Sequence, residues 1–324
     1  MRSEREQRAR TGRGRPVTDG ATALERPAQQ RAPLLLSRIG RRARPYGLIL
    51  PKLAFFGVFL AFPIGWAIEL SFRSGSILGK MQYVGVSNYR RLFSDSLFRI
   101  CVENTLEYAV IVIPLVIGGG LVLAALLNRP IRFRAFFRVA LILPTVTPTV
   151  AAVIIWIYLL QGQGGIFNEI LSFFGLAPVL WLGSPHLVIP MIAMIECWRG
   201  VGFYTIVFLA GMQSIPRELY QAAAIDGITG VRAFWRITVP LLRPVILFST
   251  VVATIFNLQI FDSPYVLTQG GPGFSSTTLV MYIYDEAFSY DDMGYAAAIS
   301  LMLMLLILVL AVVQLTFFRK DVEF

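Results

Sequence analysis

Six apolar runs, each about as long as a bilayer is thick, constrain this chain more than any other feature. A helix needs roughly 20 mostly apolar residues to cross the hydrocarbon core. Such runs fall at about 47–69, 103–127, 139–160, 187–212, 244–267 and 294–318. Only 15% of the 324 residues are charged, whereas a soluble globule carries about a quarter. The pattern predicts an all-α polytopic integral membrane protein with six transmembrane helices. Pro63, Pro114, Pro148, Pro190 and Pro264 sit inside or at the ends of these runs, which membrane helices tolerate because neighbours satisfy the freed carbonyls.

Charge placement orients the helices. Cytoplasmic loops carry an excess of Lys and Arg. The loop 128–138 holds Arg129, Arg132, Arg134 and Arg138, and the stretch between the fourth and fifth runs with its flanks holds Arg217, Arg232, Arg236 and Arg243. Loops 161–186 and 268–293 hold none. Loop 70–102, with Arg73, Lys80, Arg90, Arg91 and Arg99, is the exception. The balance predicts both termini in the cytoplasm of a cell bounded by a cytoplasmic membrane.

Residues 1–45 are rich in arginine and poor in large apolar side chains. Such a segment buries too little surface to offset the entropy of ordering and is expected to be disordered. Its charge suits anionic lipid, and no folded nucleic-acid reader is recognisable in it, so a nucleic-acid partner is not expected. Residues 46–324 form the expected transmembrane domain.

Catalytic and cofactor signatures are missing from the sequence. The nearest approach to a phosphate loop, GSILGK at 75–80, has too few residues between its glycines and lacks the Ser or Thr that follows the Lys. No nucleophile elbow, zinc-protease motif or CxxC occurs. No metal or cofactor is expected, and the two cysteines, Cys101 and Cys197, read as structural thiols. Transport is the expectation for six helices with polar residues at membrane depth.

Those polar residues are few. Ionisable groups within spans are costly and mark pathways or pairs. Glu196 and Arg199 are three apart in the fourth run, on one helix face, with Trp198 between them and Tyr204 further on. They read either as a self-satisfied pair or as pathway groups. The fifth run carries Asn257, Gln259, Phe261 and Asp262, with Tyr265 beyond. Asn257 and Phe261 would share one face of a continuous helix, Gln259 and Asp262 a neighbouring one. Amides and a carboxylate beside aromatic rings suit a polyhydroxylated solute, and they equally suit hydrogen bonds between helices.

The stretch 214–240 interrupts the apolar text. ELYQAAAIDG predicts a short helix with Leu219, Ala222, Ala223 and Asp226 on one face, ended by Gly227 in the left-handed conformation. VRAFWRI predicts a second helix presenting Val231 and Trp235, and Pro240 and Pro244 turn the chain back to the membrane. The pair is either a docking knob or a helix resting on lipid headgroups.

This stretch resembles the EAA loop of permease subunits of binding-protein-dependent ABC importers, E-A-A-x-x-x-G followed by I-x-L-P. Here it reads Gln221-Ala222-Ala223-Ala224-Ile225-Asp226-Gly227, then Ile237-Thr238-Val239-Pro240. The segments VGVSNYRRLFSDSLF (84–98), ENTLEYAV (103–110), FRVALILPTVTPTVAAVIIW (137–156), LAGMQSIPRELY (209–220), YVLTQGGP (265–272) and MGYAAAIS (293–300) are similar to the carbohydrate-uptake branch, the maltose and glycerol-phosphate type permeases. The resemblance implies a second, similar permease, two ATP-binding subunits and an extracytoplasmic solute-binding protein as partners, with ATP hydrolysis on those separate subunits. It implies a carbohydrate as solute, with Glu196, Trp198, Tyr204, Asn257, Gln259, Phe261 and Asp262 as candidate contacts. It implies that Glu218, Gln221, Ala222, Ala223, Asp226 and Gly227 couple to an ATPase. Gln221 stands where the family pattern has Glu, so a salt bridge from that position is not expected. The alternatives are an ion-coupled secondary transporter, and within the family a glycerol-3-phosphate importer subunit.

Overall fold

The computed structural model describes residues 49–76 and 79–319. The tail expected at 1–45 lies outside the described residues. The chain separates into two units, residues 1–59 and 60–324. Of the first, Ile49–Phe59 is helical throughout, with its large side chains exposed. It begins helix α1, Ile49–Ser71, which loosens into a π turn at Gly57–Ala61.

The second unit holds the rest. A two-residue antiparallel pairing of β1 (Arg73–Ser74) with β2 (Gln82–Tyr83) is the strand pair among the described residues. Then come α2 (Ser87–Ser94) and α3 (Ser96–Asn128). Next are α4 (Arg134–Val146), α5 (Thr149–Leu159), α6 (Ile166–Phe173) and α7 (Val188–Gln213). The helix α8 (Arg217–Ile225) leads to α9 (Gly230–Ala233), which continues through a π turn at Phe234–Thr238. Finally come α10 (Arg243–Leu258), α11 (Asp262–Thr268), α12 (Leu279–Tyr284) and α13 (Met293–Arg319), which ends the described residues.

Among the described residues five helical segments are long and apolar enough to cross a membrane: α1, α3, α7, α10 with α11, and α13. The sixth is a bent pair. The run expected as one helix at 139–160 starts earlier, at Arg134, and folds by 97° between α4 and α5. Pro148 explains the bend. It has no N–H to continue α4 and forces the residue before it out of the α region, and Thr147 accordingly sits at φ −72°, ψ 135°.

The core forms where α3 lies along α7. Tyr108, Val112 and Val116 of α3 meet Ile192, Ile195 and Phe208 of α7, all buried. Against this pair α4 comes backbone to backbone: a Cβ on Gly202 would sit 1.8 Å from the Leu141 carbonyl oxygen. A second cluster, Leu92, Cys101, Leu279, Tyr282, Tyr295 and Ile299, joins α2, the start of α3, α12 and α13. The buried Asn168 of α6 ties together the loops on either side of it, accepting from Val179 N and Trp181 Nε1 and sharing its two amide N–H groups among the carbonyls of Gln161, Gly162 and Val179. Cys101 and Cys197 are both free thiols.

Candidate functional site: a cavity at a broken helix

Span five is not continuous. Residues 259–261 separate α10 from α11, and the cause lies one turn on. Pro264 offers no N–H to the carbonyl of Ile260, four residues back, and its ring would clash with that carbonyl in an unbroken helix. The Ile260 oxygen accepts instead from Thr278 Oγ1 at 3.0 Å. Proline in the first turn of α11 is unobjectionable, since that N–H would have no intrahelical partner. A non-helical backbone at membrane depth is tolerated where protein buries it or a cavity borders it.

A cavity borders it here. A space of about 410 Å³ is walled by Tyr108 and Val116 of α3, Thr145 of α4, Glu196, Arg199, Gly200, Phe203 and Tyr204 of α7, and Phe256, Asn257 and Ile260 at the end of span five. Most of its polar wall is tied together, although Arg199 Nε is buried without an acceptor among the described residues. Tyr108 donates its hydroxyl to Asn257 Oδ1 at 2.9 Å, and Asn257 Nδ2 donates to the Ala253 carbonyl at 2.8 Å. Arg199 Nη1 reaches both carboxylate oxygens of Glu196 at 2.8 and 2.9 Å. Arg199 Nη2 donates to Thr149 Oγ1 at 2.7 Å, while Thr145 donates to the Arg199 carbonyl at 2.6 Å. Ser263, in the first turn of α11, donates to Glu196. Both charged side chains are 16% exposed. The cavity wall thus carries one positive and one negative charge that cancel, with hydroxyl, amide and aromatic groups around them.

Of the seven residues expected at a solute site, three line this cavity: Glu196, Tyr204 and Asn257. The other four do not. Trp198 turns away and packs edge-on against Trp156, ring centres 5.6 Å apart. Gln259 borders a separate space of about 430 Å³ with Ile283, Ser300 and Met304. Phe261 stacks on Tyr265 at 4.9 Å and tilts against Tyr284 at 5.2 Å. Asp262 is exposed. The shared faces expected for Asn257 with Phe261, and for Gln259 with Asp262, do not exist, because the helix ends at Leu258 and each pair straddles the break. Tyr108, Phe203, Phe256 and Thr145 were not among the expected residues. A tyrosine, two phenylalanines and a threonine in apolar runs carry no sequence signal separating cavity from core.

The second expected site also has defined geometry. In α8, Glu218, Leu219, Gln221, Ala222 and Asp226 are exposed, and Ile225 strongly so. Ala223 is the correction: at 9% exposure it packs inward rather than on the presented face. Gly227 takes φ +73° as expected. Its N–H donates to Ala224 O, and Ile228 N to Ala223 O at 2.8 Å, which closes the helix end. Tyr220 and Thr238 share a hydroxyl–hydroxyl hydrogen bond of 2.8 Å, holding α8 against the second helix. Val231 and Trp235 are both exposed.

Residues 116–320 match the family described as binding-protein-dependent transport system inner membrane component. The chain is 33% identical, over 87% of its length and 92% of the relative's, to the sulfoquinovosyl glycerol transport system permease protein SmoG of Agrobacterium fabrum. It is 34% identical, over 85% of its length and 94% of the relative's, to the trehalose/maltose transport system permease protein MalF of Thermococcus litoralis. A chain in the crystal structure of a bacterial ABC transporter involved in the import of alginate superposes with a TM-score of 0.77 at 25% identity, covering 90% of this chain and all of that one. The chain belongs to the binding-protein-dependent permease family, and is a multi-pass membrane component of such a transport system.

Proposed function

We propose that this chain is the permease subunit of an ATP-driven importer and passes a carbohydrate through the cavity at the span-five break. A solute-binding protein delivers the sugar from outside, a second permease completes the path, and of two ATP-binding subunits one docks on α8 from the cytoplasm, where both termini also lie. The supporting observation is the cavity wall itself. Its hydroxyl and amide groups suit sugar hydroxyls, and the rings of Phe203, Tyr204 and Phe256 suit sugar C–H faces. Glu218, Gln221, Ala222, Asp226 and Gly227 form the surface offered to the ATPase; Ala223 supports it from beneath. Gln221 hydrogen-bonds there without an ion pair.

The matched charges favour an uncharged sugar over a phosphate ester. Arg199 is the one cation on the cavity wall among the described residues, and Glu196 holds it with both oxygens. The same pairing speaks against an ion-coupled carrier, whose carboxylate must be free to exchange its ion. Gln259, Phe261 and Asp262 remain contacts that a solute would meet only on moving past the break, and Trp198 supports the wall from behind.

The test is uptake by the assembled transporter in proteoliposomes, with its solute-binding protein and a panel of neutral and acidic oligosaccharides. Asn257→Ala should lower uptake about tenfold with assembly intact, since it removes a site amide and leaves the Tyr108 hydroxyl unpartnered. Glu196→Gln should shift the panel towards acidic sugars by uncovering Arg199. Wild-type kinetics in the Asn257 variant would move the solute elsewhere, and uptake that survives ATP depletion would remove the ATP-driven reading altogether.

A further inference from the structure

We infer that Arg134 and Arg138 form a binding site for the headgroup of an anionic phospholipid. The two residues are one turn apart on α4, and their guanidinia converge on one side chain. With its amide turned to present oxygen, Gln213 at the end of α7 accepts from Arg134 Nη2 at 2.9 Å and from Arg138 Nη2 at 3.1 Å. Each guanidinium has five N–H donors, and Gln213 takes one from each. The Nε atoms of both arginines are shielded from water and have no acceptor among the described residues.

No carboxylate among the described residues pairs with either arginine. Two like charges side by side, with donors left over, call for an anion that brings several oxygens at once, and arginine forks match phosphate. The surroundings identify where that phosphate comes from. Phe133, Phe136 and Phe137 are exposed around the pair, and Val139, Leu143 and Val146 are exposed further along the same helix. Exposed rings at the level of the charges, followed by exposed aliphatic residues, make the sequence of environments that a lipid presents: headgroup, interface, acyl chain. Basic pockets between membrane helices hold anionic headgroups in this way. The site lies at the end of α7 away from the Glu196–Arg199 cavity and is independent of the solute reading.

Native mass spectrometry of the full chain, purified with its accompanying subunits and delipidated, tests the site with phosphatidylglycerol and phosphatidylcholine. Phosphatidylglycerol should remain bound to the wild type and dissociate at least about tenfold more readily from Arg134→Gln/Arg138→Gln. Phosphatidylcholine should not distinguish the two. Arg134→Lys/Arg138→Lys, which keeps charge without the fork, should fall between them, and it guards against a variant that fails to fold. Equal phosphatidylglycerol retention by wild type and Gln variant overturns the site. So does displacement of the lipid by inorganic phosphate at equal concentration, which would mark a soluble-anion site. Loss of an accompanying subunit with lipid retention unchanged overturns it in favour of a protein carboxylate.

Discussion

Two ionic clusters in this molecule are built on opposite rules. The inner one, Glu196 with Arg199, lies within span four; it matches one acid to one base, and Thr149 and Ser263 engage the pair further. The outer one lies at the span ends, where α2 meets the starts of α3 and α13. There Arg91 of α2 pairs with Asp292 at 2.7 Å and Glu286 at 3.4 Å, and stacks 3.7 Å over the ring of Tyr295. Beside it Asp95 accepts from Tyr282 at 2.5 Å and Tyr295 at 2.6 Å, and caps α3 through Leu97 N. This cluster has three carboxylates to one guanidinium. Water at its edge carries the surplus, since Arg91 is 48% exposed. Within the membrane no such relief exists, so charge is cancelled locally. The outer cluster rivets together segments almost 200 residues apart in sequence; the inner one leaves a cavity of no net charge.

The largest effect should come from unbalancing the inner pair. Arg199→Ala strands a mostly buried carboxylate, which costs about 3 kcal/mol or more. Thermal unfolding in detergent should show a lower midpoint and a poorer yield of assembled complex. Arg91→Ala also takes a partner from the buried Glu286, but the guanidinium is itself 48% exposed and 3.4 Å away, so the loss should be smaller, about 1–2 kcal/mol. Equal losses for the two arginines would erase the contrast between them.

Asp95 comes next. Asp95→Ala leaves two tyrosine hydroxyls without their acceptor and uncaps α3, about 2 kcal/mol in sum. The outer cluster should also show two acid transitions of opposite sign. Burial works to raise the Asp95 carboxyl, but hydrogen bonds from Tyr282, Tyr295 and the backbone hold it below its ordinary 3.8. Its contribution is therefore present at neutral pH and lost as pH falls through that depressed value. Burial raises Glu286 above its ordinary 4.5, against the opposing pull of Tyr282 and Arg91. Ionised Glu286 is therefore a penalty, relieved as pH falls through its raised value. Acid titration of the unfolding midpoint should rise first, above pH 4.5, and fall below pH 3.8. Glu286→Gln should shrink the rise, to which the neighbouring Asp285, also raised by burial, adds, and Asp95→Asn should delete the fall.

Much of this was legible in the sequence where chemistry is expensive. Glu196, Arg199 and Asn257 stand out because apolar runs exclude such groups unless they have partners, and each proves to be partnered. The six apolar runs likewise mark membrane-length segments, since hydropathy averages over twenty residues. What averaging hides is a bend. Pro148 and Pro264 were visible, yet both runs read on without interruption; whether proline kinks a helix or breaks it depends on where the freed carbonyl finds a donor, and Thr278 is remote in sequence. The pairings argued for Gln259 and Phe261 failed for that reason, because helical spacing means nothing across a break. Tyr108 was illegible for a different reason: a tyrosine in an apolar run reads as core until the residue opposite is known. In α8, nine residues give too few turns to fix which edge of the face tilts inward, and Ala223 went to the wrong side.

The smallest expected effect on stability belongs to Gly227, and there the contrast turns from folding to coupling. A Cβ at this position would meet nothing within 4 Å, so Gly227→Ala carries only the backbone strain of φ +73°. That strain is worth about 1 kcal/mol, and Gly227→Asn should recover most of it, because asparagine accepts the left-handed region. Gly227→Pro differs in kind. Its ring fixes φ near −65°, and it removes the N–H that closes α8 on Ala224. The end of α8 must then refold while the spans remain intact. If α8 transmits ATP hydrolysis to the spans, the proline variant should assemble, retain near-normal thermal stability and lose uptake, whereas the alanine variant keeps both. Full uptake by the proline variant would mean that the cap of α8 is dispensable for coupling, and would return these two short helices to the role of a membrane-surface element.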